Sequence, residues 1–264
     1  MAHQPPRNDD ANVVVEAFGT FARRESVHIA EGTVWSLFLS RAEMMGWSVT
    51  SETGGAPPTG ARGRSALWSV HEAELSDDRD SSDSGRLAWA QIGVAAGVPV
   101  AVALPSVGEC LHDTLRRFGR VEISGLQFTV SSMRRGGGSS LRRLVQWLAW
   151  FSTTSGPPAV AFIATDQDML GGRDGTRWAS QLGEVAGTLF RFEWVTGTPA
   201  HFAIRPPADA PTAGGLASAR PGVKVLLPEW SVAAAIWAVA LVIDSALAEA
   251  PDTSDFAVRI TRLG

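Results

Sequence analysis

Met133 to Arg143 reads MRRGGGSSLRR, which sets four arginines around three glycines and two serines. Arg134, Arg135, Arg142 and Arg143 bring guanidinium groups whose planar donors match an oxyanion two bonds at a time. Gly136, Gly137 and Gly138 remove the bulk that keeps a phosphate away from backbone, and Ser139 and Ser140 add hydroxyl donors. A glycine-rich turn that opens a helix aims several backbone N–H groups at one anion. The expected chemistry is phosphate or anion binding, set against a plain connector flanked by solvated arginines. It is not a Walker A loop, because there is no Gly-Lys-Ser/Thr and Lys224 is the single lysine of the chain.

Asp166 and Asp168 form a second candidate. They follow the apolar run 159–164, and the end of such a strand is a common place for a working carboxylate. Their alternatives are a general base or metal ligand and a solvated turn. The one cysteine, Cys110, excludes an intrachain disulfide and a cysteine zinc site, and its apolar surroundings suggest a buried thiol. No histidine pair has metal spacing on a helix, and no Gly-x-Ser-x-Gly elbow is present, so neither a metal nor a cofactor is expected. His71 and Glu72, adjacent on a strand, are expected on opposite faces, with His71 exposed beside Ser69 and Ala73.

Gly136, Gly138, Ser139 and Leu141, between an expected strand and an expected helix, resemble the acyl-CoA pyrophosphate loop of the N-acetyltransferases. That family carries Gln/Arg-x-x-Gly-x-Gly/Ala in this position, and Met133 stands here where the Gln or Arg belongs. The resemblance implies acyl-CoA as ligand, with Ala159–Thr165 as the following strand.

These residues need a scaffold, and the periodicity supplies one. Residues 1–12 are polar and read as a leader without the apolar core of a signal peptide. Strands are expected over 13–23, 66–75, 86–94 and 121–131. A helix fits 33–45, closed by Gly46, and another runs from Pro105-Ser106 to Phe118 with Gly119 as its cap. This β-α-β-β-α-β order matches a ferredoxin-like unit. The second half echoes it with a helix over 141–151, which carries Trp147 and Trp150 beside its apolar stripe, and a strand over 159–165. A hairpin joining 188–195 to 200–205, a helix over 229–249 and a strand over 256–263 complete it. The expected fold is α+β: two ferredoxin-like halves, 13–132 and 133–264, duplicated around a mainly antiparallel sheet.

The net charge of -4 disfavours a coat for duplex nucleic acid. Arginine-rich, lysine-poor composition, with ten tryptophans and no tyrosine, fits a GC-rich genome rather than a ligand-stacking design. The apolar run from Val232 is too short to span a bilayer before Asp244 interrupts it. A cytoplasmic, non-catalytic binding or assembly protein is therefore expected, working through a protein partner or as a homodimer. The alternative is an enzyme or sensor of a phosphorylated or CoA-bearing ligand that uses Arg134–Ser140.

Overall fold

The computed structural model of this chain describes residues 11–24, 33–48, 67–75, 85–95, 98–131, 157–165, 174–187, 189–197, 204, 222–249 and 256–263. The described elements begin with β1 (Ala11–Arg23), α1 (Thr33–Met44), β2 (Trp68–Leu75), β3 (Arg86–Val94), α2 (Val100–Phe118) and β4 (Gly119–Ser131). They continue with β5 (Ala159–Thr165), α3 (Gly175–Ala186), β6 (Arg191–Val195), β7 (Gly222–Leu227), α4 (Val232–Glu249) and β8 (Phe256–Arg262). The fold is mixed α+β, and its eight strands form one antiparallel sheet in the order β2-β3-β1-β4-β8-β5-β7-β6.

Alternation along the strands divides the sheet into two unlike faces. Val13, Val15 and Ala17 of β1, Leu126, Phe128 and Val130 of β4, and Val258 and Ile260 of β8 point one way, into the main core. All four described helices contribute to that same core, so they cover this face. The long central helices α2 and α4 pack closely because Gly108 has no side chain. A Cβ there would run into Ile236 Cδ1. Helix α4 is apolar nearly all round, which is the mark of a buried helix. No described helix is long and apolar enough to cross a membrane. Trp68 Nε1 donates to Ser106 Oγ at 2.8 Å, tying the sheet to α2, and Trp178 Nε1 donates to Ser245 Oγ at 3.0 Å, tying α3 to α4.

Several boundaries differ from expectation. Helix α2 starts at Val100 and carries Pro105 inside it, so the proline does not mark the helix start. Gly119 is extended (φ -174°) and leads straight into β4, so it is no left-handed cap. Its glycine is needed because a Cβ would strike the Ala22 carbonyl of β1. Strand β6 pairs with β7, and of its expected hairpin partner 200–205 Ile204 alone is described, outside any strand, so that expectation lies outside the described residues. Helix α4 begins at Val232 behind Ser231, whose Oγ accepts from Ala234 N at 3.2 Å, not at Glu229. Strand β1 begins at Ala11, inside the expected leader, pairing Ala11 with Val94.

Candidate functional site

Arg134, Arg135, Gly136, Gly137, Gly138, Ser139, Ser140, Arg142 and Arg143 lie outside the described residues, as do Asp166, Asp168, Trp147 and Trp150. Cys110 is described. It is fully buried, its thiol donates to the Phe38 carbonyl at 3.3 Å, and burial pushes its pKa up to about 12. A thiol so held is structural.

The chemistry legible in the geometry sits on the other face of the sheet. A single cross-strand row there runs Glu74–Trp89–Glu16–Gln127–Arg259–Ala164–Gly222–Val195, from β2 across to β6. At its centre Glu16, Gln127 and Arg259 are buried although each is polar or charged. The Glu16 carboxylate accepts from Arg86 at 3.1 Å and from Gln127 Nε2 at 2.8 Å. Arg259 lies over the Phe18 ring at 4.3 Å from its centroid, and its Nε donates to Thr261 Oγ1 at 3.4 Å. Buried polar groups hold their place only when paired, and this row is paired across β3, β1, β4 and β8. Gln127 and Arg259 face each other at the seam where the first and last strand groups meet. Beside the row, Phe18, Thr20, Ser124, Arg259 and Arg262 line a cleft of about 300 Å³.

Toward β2 the same face opens to solvent. Glu72 and Glu74 are exposed, Trp89 and Gln91 half-buried, and Trp89 Nε1 donates to Glu74 at 3.3 Å. The register of β2 against β3 shifts between Val70 and Glu72, leaving His71 as the extra residue of a β-bulge. The bulge turns His71 to the side of Ser69 and Gly93, where a Cβ on Gly93 would sit 2.6 Å from His71 Nε2. His71 is therefore half-buried, not exposed, and shares a face with Glu72, while Ala73 turns into the core. Strict alternation cannot anticipate this, because a bulge reverses it.

A third cluster lies on α2. Arg41 of α1 pairs with Asp113 at 2.6 Å. Burial and then Asp113 raise the Glu109 pKa, whereas burial and then Arg116 lower that of His112. Both shifts favour neutral forms, which suits helix packing. Among the described residues, no group of three or more His, Cys, Asp or Glu is placed to hold a metal ion.

Glu16, Gln127 and Arg259 carry a sequence signal that composition hides. Each is a long polar side chain with apolar residues on both sides, in VVVEAF, GLQFTV and FAVRIT. Comparison with protein-family models, curated proteins and solved structures finds no match to this chain.

Proposed function

We propose that this chain is a non-catalytic, cytoplasmic binding or assembly protein that holds a protein partner on the face of its sheet opposite the four described helices. The proposed scaffold is an internal duplication of a ferredoxin-like unit over 13–132 and 133–264. Its support is the repeated order β-α-β-β-α-β among the described elements. From each outer edge inward, both runs also place their second, third, first and fourth strands in that order.

The observation that carries the binding reading is the open, acidic and aromatic corner formed by Glu72, Glu74, Trp89 and Gln91. The β2–β3 connector adds Asp77, Asp78, Asp80 and Asp83 against Arg79 in sequence. A half-buried tryptophan rimmed by carboxylates suits a basic segment of a partner, with the indole as anchor and the carboxylates steering the encounter. Strand addition at the edges is the poorer route. The β2 edge is bulged and bridged by Ser48 at Trp68, and β6 is short and carries Arg191 and Glu193.

The test is a Glu72→Lys/Glu74→Lys variant of the full chain, with proteins captured by it compared quantitatively with those captured by wild type. The reading expects a discrete basic partner bound by wild type, in a salt-sensitive way, and lost in the variant. A partner retained equally by both, or self-association alone, overturns the acidic corner as the contact.

A further inference from the structure

A second cleft, of about 580 Å³, opens where β8 ends, β5 begins and the chain enters α4. Its lining is Pro157, Pro158, Ala159 and Val160 on one side and Glu229, Trp230, Arg262 and Leu263 on the other. The volume falls in the range of small-molecule sites, about 300–1,000 Å³, which are mainly apolar with a few placed polar groups. Here the apolar wall is prolines, aliphatic side chains and one indole. The polar groups are one carboxylate and one guanidinium.

The walls are held in place before any ligand arrives. Trp230 Nε1 donates to the Ile123 carbonyl at 2.7 Å, which fixes the indole against the first half of β4. Leu263 N donates to the Val160 carbonyl at 2.9 Å, continuing the β8–β5 ladder past its last named pair. Pro157 and Pro158 have little backbone freedom to lose. Pre-organised walls spend less binding energy on ordering.

Arg262 and Glu229 line this one cleft, yet they form no ion pair with each other, and neither side chain has a hydrogen-bond or ion-pair partner among the described residues. Two opposite charges beside an apolar wall, too far apart to pair, leave a gap that a molecule bearing both charges fills. Arg262 is exposed and Glu229 half-buried, so a ligand bearing both charges gains two charge-assisted contacts in this cleft where a singly charged one gains only one.

We infer that this cleft binds a small zwitterion: an α-amino acid with an apolar side chain. Arg262 takes the carboxylate in a charge-assisted, two-pronged hydrogen bond, and Glu229 takes the ammonium. The side chain lies along Trp230 and Pro158. The competing explanation is purely structural: Glu229 lies just ahead of α4, where a carboxylate complements the helix dipole.

Isothermal titration calorimetry of the full chain with phenylalanine and leucine separates the two. Phenylpropionate, which lacks the ammonium, and phenethylamine, which lacks the carboxylate, are run beside them, together with the variants Arg262→Gln and Glu229→Gln. Saturable binding of an amino acid is expected, weakened about tenfold or more when either charge is removed from the ligand or from the protein. The unliganded variants should keep the wild-type Tm. No heat of binding for either amino acid up to about 10 mM, a Kd limit of roughly -2.7 kcal/mol, overturns the inference. So does an analogue that binds as tightly as the amino acid. Variants that lose Tm while binding normally assign Glu229 or Arg262 a structural role and overturn it as well.

Discussion

Replacing Glu16 by alanine tests whether the buried row holds the sheet together. The carboxylate accepts from Gln127 Nε2 at 2.8 Å and from Arg86 at 3.1 Å, and its side chain is 9% exposed. Gln127 is 1% exposed, so its amide cannot turn to water when the acceptor goes. Hydrogen bonds to charged groups contribute about 1.5–3 kcal/mol each. The Arg86 side chain is 28% exposed and recovers part of its loss by hydration, which discounts that bond. The sum is about 2–4 kcal/mol. For a chain of this size that corresponds to a fall in Tm of roughly 5–12 °C. The control is Glu122→Ala. Glu122 also meets an arginine, Arg120 at 2.9 Å, but the two side chains are 65% and 81% exposed. An exposed pair of this kind contributes about 0–1 kcal/mol. Urea unfolding followed by tryptophan fluorescence measures both. A Glu16→Ala cost below about 1 kcal/mol, or one equal to that of Glu122→Ala, would refute the argument that burial decides the strength of this row.

Asp244 is a buried carboxyl on α4 whose Oδ2 has no hydrogen-bond partner among the described residues, and burial raises its pKa from 3.8 to about 6. The folded state therefore holds this proton more tightly than the unfolded state. Its contribution is fully present below about pH 4 and is lost as pH rises through about 6. Asp244→Asn should remove that slope and stabilise the protein by about 2 kcal/mol at neutral pH, once partial hydration is allowed for. Unfolding free energies across this pH range check it, and an unchanged slope contradicts it. Cys110, buried with a pKa of about 12, should react with a maleimide only as fast as the chain unfolds. Labelling of the folded protein at the rate of a free thiol would contradict this.

The sequence was most legible where one period ran unbroken. The Val- and Phe-rich runs of β1 and β4 and the helical stripe of α1 sit close to their expected places, because local pattern and burial agree there. Pro105 misled because proline is tolerated early in a helix, and the apolar run ahead of it reads equally as strand or helix. Helix α3 was not foreseen. The sequence Gly171-Gly172-Arg173-Asp174-Gly175 reads as a loop, yet Asp174 is the N-cap of this helix, accepting from Thr176 N at 3.0 Å. The β6–β7 pairing is not legible in the sequence because pairing partners distant in sequence leave no local mark. The Glu16–Gln127–Arg259 row escaped for the same reason. Three polar residues on three strands become one site only when register aligns them. The glycine-rich segment at 133–143 is legible because its chemistry is contiguous in sequence.

Site-specific photocrosslinking tests the central claim most directly. A photoreactive residue is placed at Gln91, on the open corner of the face opposite the described helices, and separately at Arg177, exposed on α3. Binding through the sheet face predicts a discrete crosslinked partner from position 91 that is absent from position 177 and is lost with Glu72→Lys/Glu74→Lys. A partner captured from position 177, or no crosslink from position 91 in extracts where the chain is expressed, would contradict it.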